Sequence, residues 1–143
     1  MAKKFRFQKH YIEFDINGHT RRVEDNDELM IIGDEIAKRA MELDDKFDDG
    51  SDIHEVLKAY HTFFKFDFYE KLFGAGSFDE DFDEQPPFAF EQEIIAGVLA
   101  EIQASQNKRI ADATGVSEKD LNAARLAALP QDYQPKKNKR SKK

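Results

Sequence analysis

The stretch FFKFDFYEKLFGAGSFDEDF, residues 63–82, decides how this chain can fold. It holds seven of the thirteen phenylalanines. Its rings, together with the apolar residues before them, cover more than one face of a helix predicted over 52–73. A helix this apolar lies at the centre of a bundle or offers a second face to a partner. Gly74 follows it in the position of a C-terminal helix cap.

Downstream of that helix the sequence is acidic and aromatic. Residues 72–107 contain eight Asp and Glu but no Lys, Arg or His. Residues 75–87 are predicted to be a linker that Phe78 and Phe82 anchor to the helices. A third helix is predicted over about 88–113, because Pro86 and Pro87 precede an apolar stripe at helical spacing. The stripe consists of Ile94, Ile95, Val98, Leu99 and Ile102.

The C-terminal part is predicted to hold one more helix and a tail. Gly115 breaks the third helix, and Ser117 is placed to cap a short helix over 117–129. Pro130 stops it. The residues beyond, 131–143, are rich in lysine and are predicted to form a disordered basic tail.

Upstream, the best local signal is a β-hairpin over 11–24. Asn17-Gly18 separates two strand-like runs and suits a type I′ turn, in which both central residues take positive φ. Phe5 and Phe7 alternate in a way that allows a third strand. A helix over about 27–47 follows, with Asp25 or Asn26 as its cap, and Ser51 is predicted to cap the next. The fold class is therefore α+β, mostly α: an N-terminal β-hairpin packed on a bundle of about four helices, in one domain over residues 1–130.

Composition restricts the chemistry. The chain of 143 residues has no Cys, which excludes disulfides, thiol catalysis and thiolate metal sites. Its start lacks the apolar run of a signal peptide, and no window has the roughly 18–20 apolar residues of a membrane span. The last eight residues carry a net charge of +6. Because the net charge of the whole chain is −7, residues 1–135 carry −13. Phosphate would repel so acidic a body, which argues against nucleic acid as its partner.

No catalytic, cofactor or metal site emerges from the residue patterns. Residues 44–52 are acidic, but aligning Gly50 with the turn glycine of a calcium loop puts Phe47 and Val56 at ligand positions. The glycines around Ala75 follow a predicted helix. The glycines of a phosphate-binding loop follow a strand, so this interpretation is excluded. His54 and His61 lie too far apart for the helical pair that binds zinc. The chain is predicted not to be an enzyme.

A short segment supports an alternative function. Residues 109–129 have the cadence of a helix-turn-helix: a small residue at Ala111, Gly115 four later in the turn, and Leu121 six beyond. The charges of the second helix nearly cancel, which disfavours approach to phosphate. A plain helical corner explains the same pattern, and a DNA-binding regulator remains the alternative hypothesis.

The order of these elements resembles the tail assembly chaperones of long-tailed, siphovirus-type bacteriophages. The resemblance covers roughly residues 11–104. It consists of the hairpin around Asn17-Gly18, two amphipathic helices, the phrase Tyr69-Glu70-Lys71-Leu72-Phe73-Gly74-Ala75-Gly76-Ser77-Phe78, an acidic linker and a further helix. Such proteins commonly close a helix in a Phe-Gly-x-Gly phrase.

The resemblance implies a non-enzymatic function in the host bacterial cytoplasm. It implies binding to the tape measure protein, recruitment of tail tube protein and absence from the mature virion. A coat on a long helical protein needs an apolar groove and a charged exterior. The coating of a long rod also suggests that the chain forms a homo-oligomer. The residues expected to contact the partner are Phe63, Phe66, Tyr69, Phe73, Phe78 and Phe82, and the alternative is that these rings form the core.

Overall fold

A two-stranded antiparallel hairpin opens the fold. The computed structural model describes residues 2–120 and residue 123. Strand β1, Tyr11–Ile16, pairs with β2, His19–Glu24, so that Ile12 lies opposite Val23. The turn residues Asn17 and Gly18 have φ values of 53° and 84°, as the type I′ prediction requires. Among the described residues the sheet has two strands, and the segment around Phe5 and Phe7 forms none.

Helix α1, Asp27–Lys46, follows the hairpin. Asn26 caps it, because its side-chain Oδ1 accepts a 3.0 Å hydrogen bond from the backbone nitrogen of Leu29. Leu29, Ile36 and Leu43 recur every seven residues, two helical turns, and all three are buried. This single buried stripe makes α1 the amphipathic outer helix that the sequence predicts.

The second helix is a composite of three segments. α2, Ile53–Thr62, continues into a π-helical segment, Phe63–Tyr69, and then into α3, Glu70–Phe73. The cap of α2 is Asp52, whose carboxylate accepts from the backbone nitrogen of His54 at 3.2 Å. The prediction that Ser51 caps this helix is wrong. Its hydroxyl instead closes the preceding turn, accepting from the backbone nitrogen of Asp48 at 3.0 Å.

The linker predicted over 75–87 contains a short helix. Gly74 and Gly76, with φ values of 108° and 86°, reverse the chain after α3. α4 then covers Ser77–Asp81, and Phe78 and Phe82 are buried in the core. Phe78 and Phe82 therefore anchor the linker, as predicted, and the linker contains the short helix α4.

Helix α5, Phe88–Thr114, completes the described elements. Phe88 packs edge-on against Tyr60 of α2 at 5.6 Å between ring centroids, and Phe90 lies 6.4 Å from Phe82. Gly115, with a φ of 81°, ends the helix. The backbone nitrogen of Asp120 donates to the Ser117 hydroxyl at 3.1 Å, as expected of a new cap.

Residues 118–120 are helical, and most of the helix predicted over 117–129 lies outside the described residues. The predicted tail, 131–143, lies outside them entirely. The chain separates into two compact units, Met1–Gln103 and Ala104–Lys143, with the boundary inside α5. In the part of the chain that the structure describes, no helix has the length and apolar character to cross a membrane.

The fold is therefore α+β and mostly α, as predicted. The first unit holds one apolar core, to which every element from β1 to the first part of α5 contributes. At its centre are side chains with almost no exposed surface, namely Ile36, Phe64, Phe68 and Tyr69.

Candidate functional site

Five of the six aromatic residues predicted to contact a partner lie within the first unit's core. Phe63, Tyr69, Phe78 and Phe82 are buried, and Phe73 is partly buried against them. Only Phe66 lies on the surface, with 54% of its side chain exposed. Of the predicted set, only Phe66 is therefore exposed, and Phe73 keeps part of its ring accessible.

The π-helical segment explains this division. In a π-helix the hydrogen bonds run from residue i to i+5, so residues five apart lie on one face. Phe63 and Phe68 form one such pair, Phe64 and Tyr69 the other, and all four are buried. Phe66 lies between the pairs and points to the opposite side. The expected α-helical spacing would instead have put Phe63, Phe66 and Tyr69 near one another.

The ring of Phe64 is the centre of the aromatic core. Its centroid lies 5.6 Å from those of Phe68 and Tyr69, 5.9 Å from Phe78 and 6.2 Å from Phe82. The contacts with Phe78 and Phe82 are edge-to-face, an arrangement that aromatic pairs favour, and the ring of Phe68 is stacked on that of Phe64. The cluster joins the π segment to α4, so the acidic linker is held by rings on one side.

A buried carboxylate holds the linker from the hairpin side. Asp81, whose side chain is fully buried, accepts hydrogen bonds from Arg21 of β2 at 2.7 and 2.9 Å. It also accepts from the Tyr69 hydroxyl at 2.5 Å. The side-chain amide of Asn17, in the hairpin turn, donates to the backbone carbonyl of Asp81 at 2.7 Å. One residue of the linker thus connects the hairpin to the composite helix.

The pKa values of this group follow from its burial and pairing. Burial alone would raise the pKa of Asp81, but the hydrogen bonds from Arg21 and Tyr69, with the positive charge of Arg21, hold it below the ordinary value. The same hydrogen bond raises the pKa of Arg21. Burial, followed by the bond to Asp81, raises the pKa of Tyr69. The carboxylate is therefore ionised and the phenol neutral, which suits a structural clamp.

A second buried carboxylate, Glu91, belongs to α5 and contacts His61 of α2. It binds Nδ1 of His61 at 2.8 Å and accepts from the side-chain amide of Gln85. Burial raises its pKa, and the bonds to His61 and Gln85 oppose the shift only in part. The contact with Glu91 at Nδ1 holds the imidazole of His61 in the lining of the groove above it.

That groove is the candidate functional site. It has a volume of about 500 Å³ and follows one face of the composite helix. We call it the α2 groove. Its lining combines two half-exposed or exposed apolar side chains with four basic ones, in contrast to the acidic surface of the rest of the unit. The lining residues used below are Leu57, Phe66, His54, Lys58, His61 and Lys65.

The cations of the α2 groove differ in what they bind. The ammonium of Lys65 pairs with Asp79 at 3.3 Å and lies 5.0 Å from the ring centroid of Phe66. Lys58 is exposed and forms no ion pair within residues 2–120. Residues 1–103 have twelve Lys and Arg against twenty-five Asp and Glu, so this basic strip stands out from the average charge of the unit.

The lining of the α2 groove consists of basic, apolar and uncharged polar side chains. Nowhere in the described part of the chain do three or more His, Cys, Asp or Glu side chains gather so as to hold a metal ion. The acidic turn within residues 44–52 is held by an internal hydrogen bond, because the side chain of Asp48 accepts from the backbone nitrogen of Gly50 at 3.0 Å. The groove lining contains one hydroxyl near His61 and Glu91, that of Thr62, and it is exposed.

Sequence reasoning missed several residues of this site. Lys58, His61 and Lys65 are spaced by three and four residues, a helical signal that could have identified the basic strip. Two pairs of rings five apart, Phe63 with Phe68 and Phe64 with Tyr69, could have indicated the π segment. No local signal pairs Arg21 with Asp81, because sixty residues separate them.

Comparisons of the chain with protein-family models, with curated proteins and with solved structures find no match.

Proposed function

We propose that this chain is a tail assembly chaperone of a long-tailed bacteriophage. In this proposal it is not an enzyme. It binds and solubilises the tape measure protein and helps recruit tail tube protein in the host cytoplasm. The observation that carries the proposal is the α2 groove: an open strip of apolar and basic side chains, exposed or half-buried, in a unit whose net charge is negative.

The geometry of the α2 groove suits a helical partner. From His54 to Phe66 it follows the helix for roughly three turns. Leu57 and Phe66 supply apolar surface, and the stems of Lys58 and Lys65 extend it while their ammonium groups stay in water. Helix-in-groove binding uses this combination of apolar anchors and a charged border. The acidic remainder of the unit would keep the complex soluble.

The acidic linker supports the proposal in a second way. Its rings and Asp81 are used within the fold, so its remaining acids face water. Asp79, Glu80, Asp83 and Glu84 are exposed. A chaperone that coats an apolar rod needs such exposed charge around its contact surface, and Asp79 borders the α2 groove through its ion pair with Lys65. The linker then contributes solubility, and the α2 groove contributes contact.

Co-expression tests the proposal. The full chain is produced with the long helical protein encoded beside it, and the soluble amount of that protein is measured with and without the chain. We expect the chain to raise the soluble amount and to co-purify with it. Phe66→Asp should abolish both effects, because it places a charge at the apolar end of the α2 groove.

The matched control is Ile31→Asp. Ile31 lies in α1 with 56% of its side chain exposed, close to the 54% of Phe66, but outside the α2 groove. This variant should behave as the unmodified chain. A neighbouring helical protein that stays insoluble and unbound would refute the proposal. Salt-dependent retention of the chain on DNA would instead favour the helix-turn-helix alternative.

A further inference from the structure

The N-terminal arm, residues 2–9, is basic, aromatic and exposed; the chain is held at His10, whose backbone carbonyl accepts a 2.8 Å hydrogen bond from the backbone nitrogen of Asp25. Within it Lys3, Lys4, Arg6 and Lys9 carry four positive charges, and no Asp or Glu is present. The arm forms no helix or strand, and all of its residues are exposed. Phe5 and Phe7 are 84% and 85% exposed. Two aromatic rings this exposed, two residues apart, are surface that water disfavours.

A second groove in the first unit has the complementary character. It lies between the end of the hairpin and α5, and its volume is about 490 Å³. We call it the hairpin groove. Its apolar lining includes Phe14, Phe90, Ile94 and Val98. The first two are half-buried, and the other two are buried and form part of the core beneath it.

Acidic side chains border the hairpin groove. Asp15 of β1 and Glu93 of α5 belong to its lining, and both are exposed. No Lys, Arg or His lines it. Apart from the arm itself, the surrounding unit is strongly acidic. A ligand that enters this groove would therefore combine rings for the lining with cations for the border, which is the composition of the arm.

Gly97 leaves the floor of the hairpin groove open. It lies in the interior of α5, where glycine is unfavourable relative to alanine. A Cβ built on it would contact nothing within 4 Å, so the packing of the isolated chain does not require glycine there. The missing side chain instead permits close approach of another group to the helix backbone. Ile94 and Val98, three before and one after it, flank this opening.

From these observations we infer that the arm of one copy binds in the hairpin groove of a second copy. Phe5 and Phe7 enter the groove, one of them over Gly97, and the basic residues of the arm face the acidic border. The occupant is a second copy because the arm supplies the required chemistry and stays exposed in a single chain. Exchange of arms in both directions gives a closed dimer. The inference uses a surface separate from the α2 groove and does not depend on the proposed function.

Two variants of the full chain test the inference from opposite sides. The double change of Phe5→Ser and Phe7→Ser removes the rings of the arm, and Gly97→Leu fills the floor of the groove. Both alter exposed positions, so we expect unchanged circular dichroism. Sedimentation equilibrium should give a mass at least twice that of one 16.6 kDa chain for the unmodified protein. Each variant should sediment as a monomer.

The matched control is Gly33→Leu. Gly33 is also inside a helix, and a Cβ there would likewise contact nothing within 4 Å, but it lies outside the hairpin groove. This variant should associate as the unmodified chain does. A monomeric Gly33→Leu chain would attribute the effect to any enlarged helical glycine and overturn the inference.

Mixing the two variants distinguishes exchange between copies from docking within one chain. The serine variant keeps an intact groove, and Gly97→Leu keeps an intact arm, so the mixture should form a heterodimer held by one of the two arm contacts, at a higher concentration than the unmodified chain needs. A mixture or an unmodified chain that stays monomeric at every concentration, or a single variant that still associates, would overturn the inference.

Discussion

At the scale of single residues, the fold depends on two buried carboxylates with different environments. Asp81 is paired with a guanidinium and a phenol, and its pKa lies below the ordinary value. Glu91 has an imidazole and an amide, which do not offset its burial, and its pKa lies above. Burial is the largest influence on both, and the hydrogen bonds from Arg21 and Tyr69, together with the charge of Arg21, reverse the direction for Asp81. Asp81 therefore stabilises the fold in its ionised form.

We expect Asp81→Asn to destabilise the chain by about 3 kcal/mol at neutral pH, because it leaves Arg21 without its buried partner. The pKa of Asp81 is lower in the fold than in the unfolded chain, so its contribution is complete above the ordinary value of 3.8. It is lost as pH falls through the lower folded value. Urea unfolding at several pH values should thus show a difference between variant and unmodified chain that narrows only below about pH 4. A constant difference down to pH 2 or so would contradict this assignment.

The six rings predicted to contact a partner also divide, at the scale of single residues, into core rings and a surface ring. Phe78→Ala should lower the free energy of unfolding by about 3–5 kcal/mol, because it opens a cavity beside Phe64 in the core. Phe66→Ala should change it by less than about 0.5 kcal/mol, because that ring is on the surface. Urea titration of both variants measures the contrast. Equal losses would mean that Phe66 also packs in the core.

At the scale of elements, the π-helical segment determines which side chains face inward. It accommodates one more residue per turn than an α-helix, so the ring pairs five apart share a face. Removing one exposed residue from it would bring those pairs to a spacing of four. A regular α-helix would then present the same rings to the core, because residues four apart share its face.

Deletion of Phe66 should therefore leave a folded chain. We expect a cooperative thermal transition and helical circular dichroism close to that of the unmodified protein. The control is deletion of Lys58, an exposed residue of α2. Because α2 is regular, that deletion would rotate the residues on its two sides by about 100° relative to each other. The Lys58 deletion should abolish the cooperative transition, and equal damage from both deletions would contradict the account of the π segment.

At the scale of the whole molecule, charge separates surfaces with different uses. The acidic residues of the first unit leave two basic regions, the α2 groove and the N-terminal arm. The α2 groove carries the proposal of a helical partner, and the arm carries that of a second copy. Since the two surfaces share no residue, loss of one interaction should leave the other intact.

The sequence by itself determined the hairpin, the long helices and the fold class, but not α4 or the π-helical segment. Asn17-Gly18 specifies a turn through the φ values of two adjacent residues, and Leu29, Ile36 and Leu43 specify α1 through spacing alone. These signals are local, because they depend on backbone conformation and on the period of one helix. The anchoring of the linker by Phe78 and Phe82 could also be predicted, since rings within an acidic stretch favour burial.

Only the tertiary structure decided which surface remains for a partner. The π segment turns Phe66 outward and its neighbours inward, and the pairing of Asp81 with Arg21 joins residues sixty positions apart. Neither follows from local propensity, because both are selected by the packing of side chains from several elements at once. The burial of four predicted contact rings has the same physical origin: apolar residues suited to a partner are equally suited to a core, and packing of the whole unit determines which of the two they serve.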